Sequence, residues 1–227
     1  VLAPPPPGGS ALHSWSGRSA LPHTEPDMGT LEFDVEAHAY RVRGRVIQSV
    51  TQRIQAAGLV SGSHWFTPEA ADRGTAVHLA CADHDLGRSI TLPDAWRGYL
   101  TSYAKWVDAM RPAWSKVEVP TWSEKYNTAG TADRIGEIRG TPVVVDLKTG
   151  AKSSGTWHGV QLAIYDLIYD DIEPRKRRRI ALYLRANGAM AQSVEFSSTY
   201  DYTVALKLCA PSQETPDATD HLDPTSP

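Results

Sequence analysis

The chain has 227 residues, 41% of them hydrophobic and 22% charged, with a formal net charge of -3 at pH 7. That is ordinary globular composition, with enough apolar surface for one sizeable core. The charge balance excludes a uniformly basic surface, so any nucleic-acid binding must gather its cations locally.

Only Cys81 and Cys209 are present, far apart and without metal-ligand spacing. A disulfide framework, a zinc knuckle and a four-cysteine iron–sulfur cluster are excluded, and a reducing, intracellular setting is expected. Seven Trp and nine Tyr against three Phe favour side chains with an apolar body and a polar edge, suited to core margins and ligand grooves. No apolar run approaches the roughly 18–20 residues of a membrane span. The N-terminus, Val1-Leu2-Ala3 and then four prolines, has neither an initiator Met nor a signal pattern. It is expected to begin inside a longer reading frame or after processing.

Residues 1–28 are rich in Pro, Gly, Ser and His and carry no apolar period, and residues 211–227 are similar with an acidic tilt. Both are expected to be disordered, leaving one domain over 29–210. Leu31 to Asp34 and Ala39 to Val42 alternate as a short hairpin. Val46 to Ala57 reads as a helix stopped by Gly58. A stronger helix starts at Thr67-Pro68-Glu69, with Thr as N-cap and Pro in the first turn, and runs to about Asp85. Asp94 to Met110 carries Trp96, Tyr99, Leu100, Tyr103, Val107 and Met110 at helical spacing. Trp114 to Glu124, Ala129 to Ile138 and Thr141 to Leu147 read as strands, the last with three valines and so central in its sheet. Helix returns over Thr156 to Asp170. Strands Arg179 to Arg185 and Ala191 to Phe196 flank an Asn187-Gly188 turn, and Ser198 to Cys209 ends the domain as a helix. The order predicts an α/β or α+β sandwich, a central mixed sheet flanked by helices.

Chemistry concentrates on two strands. Asp146 and Lys148, two apart, share a face. A turn at Arg139-Gly140 sets Ile138 against Thr141, and counting outward places Asp133 opposite Asp146, with Cβ atoms roughly 5 Å apart. Two carboxylates that close must share a proton or a cation. A hard divalent ion, Mg²⁺ or Mn²⁺, meets that need, and Lys148 beside it can orient or deprotonate a water. An isolated D-x-K is more often a surface ion pair. Here the valines before Asp146 and the opposed Asp133 favour a cleft.

The set Gly74-x-x-x-His78, Gly130-Thr131-Ala132-Asp133, Asp146-Leu147-Lys148-Thr149-Gly150 and Gln161-x-x-x-Tyr165 resembles the RecB-like, phage-exonuclease branch of the PD-(D/E)XK nuclease superfamily, whose core is restriction-endonuclease-like. The stretch from Phe33 to Tyr40, then Ser49-Val50-Thr51, resembles phage-encoded members. The resemblance implies that His78, Asp133 and Asp146 bind Mg²⁺ or Mn²⁺ together with the Leu147 carbonyl, and that Lys148 is catalytic. It implies that Gln161 and Tyr165 help to place nucleic acid. Ala132 stands where the motif's name has Pro, and no iron–sulfur cysteines are present.

His78 shares a stripe with Gly74, Cys81 and Ala82, which would let its helix approach the sheet closely; a lone helical His is otherwise more often a satisfied core residue. Tyr165 has core-edge packing as its alternative. Glu118, on the first long strand, is a candidate for a second metal or a solvent-facing acid. Arg73 and the block Arg175 to Arg179, Arg177 and Arg178 above all, are candidates for phosphate contacts, against the alternative of a solvated loop. The expected function is a Mg²⁺- or Mn²⁺-dependent deoxyribonuclease, an exonuclease or end-processing enzyme of recombination, repair or replication in the cytoplasm of a bacterial or phage-infected cell. DNA is the expected partner, with a recombinase, a single-strand annealing protein or a helicase supplied by another chain; no P-loop is present, so this chain carries no helicase motor of its own. A catalytically silent nucleic-acid- or partner-binding module and a structure-specific endonuclease are the alternatives.

Overall fold

A computed structural model describes residues 30–34, 37, 39–60, 67–150, 157–169 and 174–209. The expected disordered segments, and Glu36 and His38 of the upstream motif, lie outside the described residues. In chain order come strands β1 (Leu31–Asp34), β2 (Ala39–Val42) and β3 (Arg45–Ile47), then helices α1 (Val50–Ala56), α2 (Pro68–Asp85) and α3 (Arg97–Met110). Strands β4 (Ala113–Ser123), β5 (Thr128–Ile138) and β6 (Thr141–Lys148) follow, then α4 (Trp157–Ile168), β7 (Arg178–Tyr183), β8 (Gln192–Glu195) and α5 (Thr199–Cys209).

The last five strands form one mixed sheet in chain order, with the valine strand β6 in the middle as its composition requires. Val143, Val144 and Val145 are wholly buried. β4, β5 and β6 are antiparallel neighbours, whereas β6 and β7 are parallel and are joined through α4, the kind of crossover that parallel strands need. Helices cover both faces. Val144, Ala181 and Tyr183 pack with α4, α5 and α1. Val143, Val145, Leu147, Ile180 and Leu182 pack with α2 and α3.

α2 starts as expected: Thr67 is extended, its side chain accepts from Ala70 N at 3.2 Å, and Pro68 opens the helix. α1 starts later than Val46. Val46 and Ile47 belong to β3, which pairs with β2 across a turn with Arg43 at φ 51 and Gly44 at φ 73. The helix waits for Ser49, which forms a capping box with Gln52. A single 3-10 turn at Asp94–Trp96 precedes α3, so the Asp94 start holds as helical structure but not as α-helix.

β7 and β8 end sooner than the sequence pattern implies, and the Asn187-Gly188 turn sits in a longer connection. Its backbone bonds to α3 instead of extending the ladder: Arg185 N donates to Ser102 Oγ at 3.0 Å, Ala191 N to Ser102 O at 3.2 Å, and Lys105 Nζ to Gly188 O at 2.7 Å. Gly98 permits that contact, since a Cβ there would lie 1.7 Å from Ala186 O.

Candidate active site

The site forms where the sheet's ladders break. From Ile138↔Thr141 the β5/β6 register runs as counted from the sequence to Arg134↔Val145 and stops one pair short of Asp133 and Asp146. On the other side of β5, Val117↔Arg134 and Val119↔Ala132 flank an unpaired Glu118 and Asp133. Glu118 has φ 50, a left-handed backbone that is uncommon for a non-glycine residue within a strand. Outliers of this kind persist where the surroundings hold them and gather at functional sites.

Released from the ladder, the Asp133 carboxylate works at both oxygens. Oδ2 accepts the Leu147 peptide N–H at 2.5 Å, and Oδ1 lies 3.3 Å from His78 Nδ1. The carboxylate therefore fills the gap between β5 and β6 and meets α2. His78, Glu118 and Asp133 each offer one ligand atom, and these atoms lie within 4.8 Å of one another. Two carboxylate oxygens and one imidazole nitrogen make a donor set that can hold a divalent ion, the oxygens suiting Mg²⁺ or Mn²⁺ and the nitrogen suiting first-row transition ions.

The titrations reflect three acids in a small space. Burial opposes a charge on His78, but Asp133, Glu118 and Asp146 outweigh it and push its pKa up to about 9. Burial beside Asp133 pushes Glu118 up to about 8 against the pull of His78 and Arg134. Burial would raise Asp133 as well, yet His78 and the Leu147 N–H hold it below the ordinary carboxylate range. Asp146 moves the other way, raised by burial with Asp133 assisting and Lys148 opposing.

Asp146 is not grouped with the three ligand atoms. Its Oδ2 lies 2.5 Å from Lys148 Nζ, and Lys148 also donates to Gln161 Oε1 at 3.0 Å and stands 4.9 Å from the Trp157 ring centroid. Asp146 and Lys148 thus share a face as their spacing requires, and that face looks to α4. For Leu147, the contact the structure describes is the peptide N–H to Asp133. Gln161 and Tyr165 are 7% and 6% exposed, with Tyr165 packed into the core beneath the site. Core-edge packing is what the structure describes for it.

Two expectations need correction. Gly74 itself makes no close approach, because a Cβ there would meet only Thr149 Oγ1 at 3.9 Å, whereas Cys81 and Ala82 of the same stripe are buried, and Cys81 packs with the β6 side chains. The arginine block does not face the site. Arg177 is buried, bonded to Asp166 Oδ1 at 3.1 Å and to Tyr169 O at 2.8 Å. Arg179 is likewise buried against Asp201. Arg178 pairs with Glu195 at 2.7 Å and stands in register with Val143, five residues from Lys148, roughly 16 Å along the sheet. Arg73 rests over the Tyr99 ring of α3, 5.8 Å from its centroid.

Arg134 went unnoticed in the sequence. Its side chain is fully buried. Nε donates to Asp85 Oδ2 at 2.5 Å, and one terminal nitrogen donates to Glu118 Oε1 at 3.1 Å and to the Asp133 carbonyl at 2.6 Å. Tyr103 OH donates to the same Asp85 oxygen at 2.5 Å. Asp85 of α2, Tyr103 of α3 and Arg134 of β5 therefore form a clamp that holds Glu118. The sequence signal was present: Arg134 lies two before Gly136 and four before the core residue Ile138, so alternation turns it toward the helices.

A sequence profile of the PD-(D/E)XK nuclease superfamily matches residues 35–221. A search of curated proteins finds no match. Among solved structures, one titled "Crystal structure of SSO0001" is 15% identical, with a TM-score of 0.34, covering 70% of this chain and 80% of that one.

Proposed function

The chain belongs to the PD-(D/E)XK nuclease superfamily, and from that premise we propose that it is a deoxyribonuclease of the RecB-like branch, working on DNA ends with Mg²⁺ or Mn²⁺. One observation carries the proposal: His78, Glu118 and Asp133 converge within 4.8 Å, while Lys148 is presented from the neighbouring strand by Asp146 and Gln161. A silent binding module has no use for that coincidence. His78, Glu118 and Asp133 would hold the ion, with Asp146 at the margin of the set. When bound, such an ion neutralises phosphate charge and lowers the pKa of a water.

The chain's own residues do the rest. Asp133 is fixed at both oxygens, so it meets its partners without reorganising. Arg134 aims Glu118 from behind. Asp146 and Gln161 hold Lys148 Nζ from two sides, leaving a donor to orient the attacking water and to meet charge that develops on the phosphate oxygens.

The test is digestion of end-labelled linear, circular and single-stranded DNA with Mg²⁺ or Mn²⁺. Cleavage that requires the ion, stops with EDTA and spares the circle supports an end-directed nuclease. Robust cleavage in excess chelator sinks the metal-dependent reading, and cutting of the circle at the linear rate sinks the end-directed one.

A further inference from the structure

Two cavities lie end to end between α1 and α4, on the face of the sheet that carries Lys148. The first, about 250 Å³, is floored by Gly130 and Thr131 and walled by Tyr165, Thr51 and Gln55. The second, about 200 Å³, shares Thr51 and Gln55 and reaches Lys148, Trp157 and Gln161. Together they make one groove ending at the catalytic lysine. Gly130 is tightly packed against the core beside the groove, since a Cβ there would lie 2.8 Å from Val50 Cγ2 and 3.0 Å from Tyr165 Cε1.

The lining is what identifies the occupant. Lys148 is its one Lys, Arg, Asp or Glu side chain among the described residues. A track for phosphates presents repeated cations, and among the described residues this groove has none beyond the one that serves the chemistry. It offers instead the Gln55 amide, the Thr51 hydroxyl and the Trp157 ring, with the amide NH2 groups of Gln52 and Gln161, whose Oε1 atoms accept from Ser49 N and Lys148 Nζ. Amides and hydroxyls pair with base edges, and aromatic rings stack on bases. Base edges and faces are accessible in this way only when the base has left its stack.

We propose that this groove takes an unpaired nucleotide of the substrate strand, base inward, so that the enzyme engages single-stranded DNA, or a frayed end, next to the scissile phosphate. The inference rests on the nuclease reading and deepens it by naming the strandedness of the substrate.

The experiment is an abasic scan. Single-stranded oligonucleotides, each with one abasic residue at a different distance from the cut, are digested by wild type, Trp157→Ala and Gln55→Ala with Mg²⁺ or Mn²⁺. One abasic position beside the cut should lower kcat/KM about tenfold, the scale of a lost base–aromatic contact. Trp157→Ala should lose about as much on the intact strand and little more on that abasic strand, because the two changes remove the same contact. Gln55→Ala, on an exposed turn of α1, should show the same pattern more weakly and does not depend on how well Trp157→Ala folds. A blunt duplex should be cut more slowly than a single strand, and terminal mismatches should restore the rate.

A flat abasic scan, multiplying losses, or a blunt duplex cut as fast as a single strand overturns the groove while leaving the nuclease reading intact. Absence of cleavage on every DNA overturns the nuclease reading instead. Fluorescence anisotropy with intact and abasic single strands then decides the groove alone: affinity that depends on one base supports it, and affinity indifferent to every base overturns it.

Discussion

Loading the site with Mn²⁺ must expel the protons it holds without an ion. His78 titrates at about 9 and Glu118 at about 8, so at pH 7 both carry protons in the folded protein. A ligating imidazole must be neutral and a ligating carboxylate ionised. Binding at pH 7 therefore releases about two protons, and apparent affinity should rise up to about a hundredfold per pH unit until the pH passes that of Glu118. The stability of the metal-free protein runs the other way. Both folded-state pKa values lie above their ordinary values of 4.5 for Glu118 and 6.5 for His78, so the folded protein holds more protons than the unfolded chain. Their stabilising contribution is complete below pH 4.5 and 6.5 and is lost as pH rises through about 8 and about 9. The metal-free melting temperature should thus fall from pH 5 to pH 9 while the shift produced by Mn²⁺ grows. Titration calorimetry at pH 7 in two buffers of different ionisation enthalpy counts the protons directly. Glu118→Gln should bring the count down to about one. A wild-type count near zero, with affinity independent of pH, would show that the ion does not enter among His78, Glu118 and Asp133.

Lys148→Ala should slow cleavage on the order of a hundredfold or more at unchanged metal affinity, since its donor acts on water and transition-state charge; single-turnover rates at matched Mn²⁺ check it, and a wild-type rate would reduce Lys148 to a partner of Asp146. Asp85→Asn should cost about 3–5 kcal/mol, because it strips a buried charge from Arg134, whose side chain is wholly inaccessible. Urea unfolding at constant m measures that loss, and a cost under about 1 kcal/mol would mean that Tyr103 and Glu118 suffice to hold the arginine. Arg178→Ala should leave the DNA affinity and its salt dependence as they are, because this arginine is paired with Glu195 far from the site; a salt slope reduced by about one would reveal a phosphate contact.

The β5/β6 hairpin was legible because register follows from turn position, and Arg139-Gly140, both at positive φ, is that turn. From there the opposition of Asp133 and Asp146 is arithmetic. What the arithmetic could not give is that the ladder stops just before them, since a side chain that accepts a peptide N–H from the facing strand has no pattern of its own. Glu118 shows the same limit: its place in the ligand group depends on a backbone outlier that no propensity announces. The arginine block misled for the opposite reason. A run of cations looks solvated in sequence, but Asp166 on α4 and Asp201 on α5 take Arg177 and Arg179 into the interior, and Glu195 on β8 neutralises Arg178. The groove was illegible as well, because Gln55 and Trp157 are unremarkable until α1 and α4 meet over Gly130.

Glu118, Asp133 and Asp146 fall in one row across three strands, and a row of like charges is costly in any sheet. Each acid is given a different cation from a different direction: Arg134 from its own sheet at 3.1 Å from Glu118, His78 from α2 at 3.3 Å from Asp133, and Lys148 from the α4 face at 2.5 Å from Asp146. The two ladder breaks let each carboxylate reach its own partner even though Glu118 and Asp133 stay within 4.8 Å of one another. The three cations are not equivalent. Arg134 keeps its charge at any pH the protein meets, and Lys148 is tethered by Gln161 as well as by Asp146. His78 alone has a charge that is a removable proton, on an atom that is itself a metal donor. An entering divalent ion can therefore replace that proton at Asp133, together with the one Glu118 holds at pH 7, without dismantling the Lys148–Asp146 pair. The fold thus closes around the row of acids before any metal arrives, and metal uptake exchanges an ion for the protons that His78 and Glu118 hold at that end of the row.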